Sequence, residues 1–226
     1  MESVATPEGS VLLINKPLEW TSFDVVNKIR FKLNTKKVGH AGTLDPLATG
    51  LLIVCVGKMT KRIDEFMGLE KEYTGSFTLG QVTASYDLET PAEESGDVSH
   101  LTAEAIRAAT TAFLGRIQQL PPAHSAIKIG GKRAYEFARK GKPVELATRE
   151  VEISAFDITD IQLPRVSFRI VCSKGTYIRS IARDFGEALG VGAHLSSLCR
   201  TRIGPYTLEQ ATDINDLAID PRAVLH

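Results

Sequence analysis

The sequence lacks the marks of an exported, membrane-spanning or cross-linked protein. Only three cysteines occur in 226 residues, Cys55, Cys172 and Cys199. With no CxxC pair and no Cys/His cluster, they argue against a disulfide framework or a structural zinc site. The opening segment MESVATPEGS has no basic start followed by an apolar core, so no secretory signal is expected. The longest apolar run, Leu51 to Val56, falls far short of the roughly 20 residues that cross a bilayer. Repeats and low-complexity tracts are missing too, as are both phosphate-loop patterns, GxxxxGK[ST] and GxGxxG between strand and helix. The expectation is a cytoplasmic protein with no membrane contact.

Net charge is also missing: 27 Lys and Arg balance 27 Asp and Glu. The balance conceals segregation. Lys28, Arg30, Lys32, Lys36 and Lys37 stand between Asn27 and Thr43 with no acid among them. From Ala126 to Arg149, Lys128, Lys132, Arg133, Arg139, Lys140, Lys142 and Arg149 face only Glu136 and Glu145. Acids gather from Asp87 to Asp97 and from Glu209 to Asp220. Segregation of this kind gives one basic face on a neutral protein, as a nucleic-acid partner requires. From charge alone, solvated helix faces explain it equally well. Apolar residues are plentiful at 43%, which with zero net charge excludes wholesale disorder.

Periodicity places the elements. Ser22 is positioned to cap a helix with Val25, Val26, Ile29 and Leu33 on one face. The run LLIVCV predicts a strand buried on both faces, and YTGSFTLG alternates Tyr73, Gly75, Phe77 and Leu79 along one side of another. Thr60 opens a short helix to Phe66. Glu89 to Asp97 reads as a surface loop. Thr102 caps a helix that runs to about Phe113, with Leu101 and Ile106 as its hydrophobic staple. VEISAFDITDI and RVSFRIVCS alternate as strands. Thr176 then caps a helix striped by Ile178, Ile181, Ala182, Phe185 and Leu189 and stopped at Gly190. Between them, QQLPPAHSAIKIGGKRAYEFARKGKP has the prolines, glycines and cations of a long functional loop with one helical turn. Hairpin-like strands with separated helices predict an α+β fold, a mixed and mostly antiparallel sheet flanked by helices.

Two segments could carry chemistry. In GHAGTLDPLATG, Pro46 fixes the turn after Asp45, so the carboxylate sits on a rigid bend beside a buried strand, as a nucleophile or base would. Asp-Pro turns are common, and taken alone this one more often only caps itself. His40, flanked by glycine, can project and stack on a base. In CSKGTYIRSIARD, Arg179 at the start of a helix can grip a carboxylate by a fork of hydrogen bonds, and Tyr177 offers a flat ring.

These segments carry a resemblance. LLINKPLEWTSFDVVNKIR, KVGHAGTLDPLATGLLIVCVGKMTK, KEYTGSFTLGQVTASYD, PPAHSAIKIGGKRAYEFARKG, VCSKGTYIRSIARDFG and GAHLSSLCRTRIG stand in the order of the bacterial TruB-type tRNA pseudouridine synthases. The chain resembles that family over about residues 11 to 208. The resemblance implies a single catalytic domain over residues 1–226, with the basic loop at about 121–150 as a thumb. The family often carries a further C-terminal RNA-binding module of the PUA type, and in departure from it none is expected here. Where Ala84 stands, the family often has an acid.

Activity and residue roles follow from the resemblance. It implies isomerisation of uridine to pseudouridine at position 55 in the tRNA T-loop, without a cofactor, because the reaction involves no redox change; no metal is expected, and a monomer is. Asp45 falls on the catalytic aspartate and Tyr73 on the active-site tyrosine. Arg179 falls on the arginine paired with the aspartate, and Asp87 on the acid that supports that arginine. His40 falls on the histidine inserted into the T-loop, with Tyr73, Tyr177 and Leu198 contacting the uridine. Lys16, Lys28, Lys36, Lys37, Lys128, Lys132 and Arg133 are expected along the RNA backbone. The competing expectation is a non-catalytic RNA-binding or RNA-folding module with the same cleft.

Overall fold

The structure, a computed structural model, describes residues 9–123 and 146–216 and, between them, the backbone at 128–129 and 132–133. Its elements in chain order are β1 (Gly9–Lys16), α1 (Ser22–Lys32), β2 (Val38–His40), β3 (Ala48–Gly57), α2 (Ile63–Gly68), β4 (Lys71–Leu79), β5 (Gln81–Thr83), β6 (Ala92–Glu94), α3 (Ala103–Ala109), β7 (Gly115–Gln119), β8 (Lys128–Ile129), β9 (Lys132–Arg133), β10 (Arg149–Gln162), β11 (Arg165–Cys172), α4 (Ile178–Ala188), β12 (Ala193–Ile203), β13 (Tyr206–Thr207) and β14 (Thr212–Asp213). This is the expected α+β class, with mixed but mostly antiparallel strand pairing. Among the described residues no helix is long and apolar enough to cross a membrane. The chain forms two compact units, one running up to Thr74 and resuming at Leu198, the other from Gly75 to Ser197.

In the first unit β1 and β3 pair antiparallel from Gly9↔Gly57 to Lys16↔Gly50. β12 joins β3 in parallel, with Leu198 opposite Ala48. The apolar run of β3 is buried on both faces because each face finds its own partner. Leu52, Val54 and Val56 pack with Ile14 and with Val25, Val26 and Ile29 of α1. Leu51, Ile53 and Cys55 pack with Val11, Leu13, Phe66 and Ile203. Each such side chain, fully buried, contributes about 1.5–3 kcal/mol. The cap of α1 differs from expectation by one residue. Thr21 accepts from the Asp24 amide at 3.0 Å, and the Asp24 carboxylate accepts from the Thr21 amide at 2.8 Å. Ser22 is left to turn inward.

In the second unit the strand order is β4, β11, β10, β7, with β10 and β11 an antiparallel hairpin from Ile153↔Cys172 to Gln162↔Arg165. Its core is aromatic. Phe77 stacks on Phe168 at 4.2 Å between ring centres, and Phe156 lies 5.4 Å from Phe185. Phe185 belongs to α4, whose stripe of Ile178, Ile181, Ala182 and Phe185 is buried as its periodicity predicts. Thr102 caps α3 as expected, accepting from the Ala105 amide at 3.1 Å. The helix there is shorter, with a 3-10 turn over Thr110–Phe113. The stretch read as a loop from Glu89 contains β6, paired with β5. Thr176 does not cap α4: its hydroxyl donates to Ser173 O at 2.9 Å, and Tyr177 occupies the cap position. Of the basic loop, β8 and β9 pair at Lys128↔Arg133 and Ile129↔Lys132. The side chains of Lys128, Lys132 and Arg133, and most of the expected thumb, lie outside the described residues.

Candidate active site

In the first unit the chain leaves β2 at His40 and enters β3 at Ala48, and the bend between them carries Asp45. Four interactions fix that bend. The Ser22 hydroxyl donates to Leu44 O at 3.1 Å and accepts from the Leu44 amide at 2.8 Å. The Ala48 amide closes the turn onto Asp45 O at 3.0 Å, and the Glu19 amide donates to Pro46 O at 2.8 Å. Asp45 is half-buried. A carboxylate on so constrained a backbone is held in place before any substrate arrives, which is what a catalytic anion needs.

Two buried cations lie beneath this bend. Lys16 is fully buried, and its ammonium donates to Trp20 O at 2.6 Å, Pro17 O at 2.8 Å and Pro46 O at 3.4 Å. Burial lowers its pKa from 10.5 to about 8, with the Arg200 charge acting the same way and attraction to Asp45 opposing. Lys16 therefore does not lie along an RNA backbone, contrary to the expectation from sequence. Its charge is spent on carbonyls inside the fold.

Arg200 of β12 is the second cation, 1% exposed, with Nε donating to Leu51 O at 2.8 Å and Nη2 to Gly42 O at 3.2 Å. It ties the start of the bend to β3. The close approach depends on Gly50, at φ +101°, where a Cβ would stand 2.4 Å from Arg200 O. Periodicity and charge counting missed Arg200, although it lies two residues after Leu198.

The remaining expected residues of this unit fall around the bend. Burial first, and then the Arg200 charge, hold the His40 imidazole below its usual pKa, against a backbone contact with Gly42. Its Nδ1 is buried without a hydrogen-bond partner among the described residues. A neutral ring of this kind suits stacking better than charge pairing. Leu198 is half-buried on β12 opposite Ala48, three residues past Asp45, and Thr49 Oγ1 donates to Leu198 O at 3.4 Å. Tyr73 lies in β4, 9% exposed. Lys36 and Lys37 are exposed, and Lys28 donates to Asn215 Oδ1 at 2.7 Å.

The second unit places Arg179, Asp87 and Tyr177. Arg179, on the first turn of α4, is 4% exposed, with Nε 3.7 Å from Asp87 Oδ2 and Nη1 donating to Ser85 O at 3.4 Å. Asp87 and Arg179 thus lie within ion-pair distance of each other. Asp87 is held in turn, its Oδ1 accepting from the Glu89 amide at 3.0 Å. The start of α4 is fastened by Gln119, whose side-chain carbonyl accepts from the Tyr177 amide at 2.8 Å while its amide donates to Tyr177 O at 3.1 Å. The Tyr177 ring lies under the Arg149 guanidinium at 4.6 Å. Sequence reading passed over Gln119, since a fully buried glutamine at a strand end gives no periodic signal. Among the described residues, no group of three or more His, Cys, Asp and Glu is arranged to hold a metal ion.

Comparison with known proteins gives consistent matches. Residues 30–178 match the model of the TruB family pseudouridylate synthase N-terminal domain, and residues 179–220 match that of the tRNA pseudouridylate synthase B C-terminal domain. The chain is 52% identical over 214 residues to a tRNA pseudouridine synthase B of Flavobacterium johnsoniae, covering 92% of this chain and 93% of the relative. It is 54% identical over 207 residues to one of Parabacteroides distasonis, covering 89% and 88%. Among solved structures, a chain in a crystal structure of a Cbf5-Nop10-Gar1 complex superposes with a TM-score of 0.72 at 33% identity. That match covers 92% of this chain and 53% of the other, so the chain spans about half the length of that structural relative.

Proposed function

The chain belongs to the TruB family of pseudouridylate synthases, and we propose that it isomerises uridine to pseudouridine in tRNA, at position 55 of the T-loop. The observation that carries this reading is the bend holding Asp45: a half-buried carboxylate on a backbone fastened at both ends, with buried Lys16 attracting it. The reaction breaks the N1–C1′ glycosidic bond, turns the detached uracil and joins C5 to C1′. The C5 proton leaves and N1 gains one, so substrate and product are isomers. Asp45 supplies the anion that acts on the uridine as the glycosidic bond opens. Asp87 steers Arg179, whose fixed guanidinium serves the same reaction. Tyr73 stacks on the uracil and serves in the proton transfer.

The target base must leave the loop, at a cost of a few kcal/mol. His40, neutral and poor in polar partners, fills the gap, and Tyr177 and Leu198 each contact the uridine. The exposed Lys36 and Lys37, with Lys28, run along the RNA backbone as a monomer engages the T stem-loop.

The test is to map pseudouridine in a T stem-loop RNA after incubation with wild type and with Asp45→Asn. Wild type converts the position-55 uridine. The variant binds the RNA with similar affinity and converts none. An unmodified uridine with wild type would leave only an RNA-binding module, and turnover by Asp45→Asn would remove Asp45 from its role.

A further inference from the structure

Tyr86 stands at φ +62°, in the left-handed region that a bulky side chain rarely adopts. The strained residue separates the two groups that meet Arg179. Ser85 O accepts from Arg179 Nη1 at 3.4 Å, and the Asp87 carboxylate lies 3.7 Å from Arg179 Nε. The residue before and the residue after Tyr86 thus both serve one guanidinium, and the left-handed turn at Tyr86 sends its own side chain elsewhere.

That side chain meets a second arginine. The Arg183 guanidinium lies over the Tyr86 ring at 5.0 Å, and its Nη1 donates to the Tyr86 hydroxyl at 3.4 Å. Arg183 is four residues after Arg179, so the two share a face of α4. Its other edge is held by Asp184, with Nε donating to Oδ1 at 2.6 Å. The Tyr86 carbonyl is fixed independently, accepting from the Leu195 amide at 2.9 Å. Backbone strain of this kind persists only where the surroundings over-determine it, and it gathers at functional sites.

We propose that Tyr86 and Arg183 are positioning residues for pseudouridine formation: their stack clamps the 85–87 turn onto α4, and so sets the guanidinium of Arg179. Neither residue touches substrate. The stack holds the turn's middle residue to the helix turn after Arg179, while Ser85 and Asp87 close on Arg179 itself. The proposal rests on the reading of Arg179 as an active-site residue.

Single-turnover pseudouridine formation and equilibrium RNA affinity, both on a T stem-loop, separate positioning from binding. Tyr86→Leu and Arg183→Met each lower the rate constant about tenfold, the scale of one partly buried ring–cation contact. Affinity stays within about twofold, and the double variant is no slower than the slower single one, because both remove the same contact. Tyr86→Phe keeps the ring and restores most of the rate. Tyr86→Gly, which relieves the left-handed backbone, folds and still loses rate.

Wild-type rates in both Tyr86→Leu and Arg183→Met would overturn the proposal. So would an affinity loss that accounts for the whole effect, or losses that add in the double variant. Arg179→Lys, measured alongside, distinguishes the two levels. If it is inactive while the stack variants are fast, the clamp alone fails. If it too keeps the wild-type rate, the reading of Arg179 fails first.

Discussion

Replacing Gly186 by Ala sets two effects against each other, and the structure decides between them. Gly186 lies inside α4, where Gly costs about 1 kcal/mol relative to Ala, so helix propensity alone predicts stabilisation. A Cβ on Gly186 would stand 2.1 Å from Ala193 N and 2.3 Å from Gly192 C. These are backbone atoms of a segment that cannot swing aside. The Val191 and Gly192 amides donate to Gly186 O at 3.1 and 3.0 Å, and Gly192 O accepts from the Gly80 amide at 2.9 Å. An ordinary contact requires about 1 Å more room, and overpacking of this kind costs about 1–3 kcal/mol. The two displaced hydrogen bonds add about 1 kcal/mol each. Against the propensity gain, the net is a loss of about 2–4 kcal/mol, or roughly 4–16 °C in melting temperature for a chain of this size. Because α4 carries Arg179, the shift also lowers the single-turnover rate. A thermal melt of the purified variant checks the sign. A rise of a few degrees would show that helix propensity wins and that the close approach of α4 to residues 192–193 does not constrain the fold.

Lys16 gives a prediction in pH. Burial holds its folded-state pKa at about 8 against 10.5, so between those values the unfolded chain holds the proton more tightly and stability rises with pH. The melting temperature of wild type, measured against a non-titrating Lys16→Met control, should climb from pH 8 to pH 10, by on the order of 1–3 kcal/mol in stability. A flat difference would place the Lys16 ammonium in water. RNA affinity should weaken as salt rises, with log K linear in log salt. The variant Lys36→Ala/Lys37→Ala should reduce that slope by roughly 1–2. An unchanged slope would move the RNA backbone away from this turn.

Elements whose cause is local or periodic were legible in the sequence. The run from Leu51 to Val56 announces a strand apolar on both sides, because alternate residues must each meet a separate core. The stripe of α4 and the Thr102 cap follow the same logic at other periods. The α1 cap falls one residue from its expected place because hydroxyl residues adjoin. Ser22 and Thr21 have equal capping chemistry, and only Leu44, far along the chain, draws Ser22 inward. β12 carries no strong alternation, since Arg200 occupies a buried position that a pattern reads as polar.

Charge is where reading by residue type fails most, for a physical reason. A cation satisfied by carbonyls leaves no mark in the sequence when its acceptors lie far away, as Leu51 and Gly42 do from Arg200. Lys16, Lys36 and Lys37 look alike in the sequence, and residue type alone puts all three on RNA. Lys36 and Lys37 are at the surface, where a phosphate can reach them at little desolvation cost. Lys16 is buried, where an ammonium is tolerated only because three carbonyls and a carboxylate surround it. That surrounding ties the bend of Asp45 to β1. The expense of burying Lys16 is itself an argument for function, because a core built only for stability would gain by replacing it with an apolar side chain.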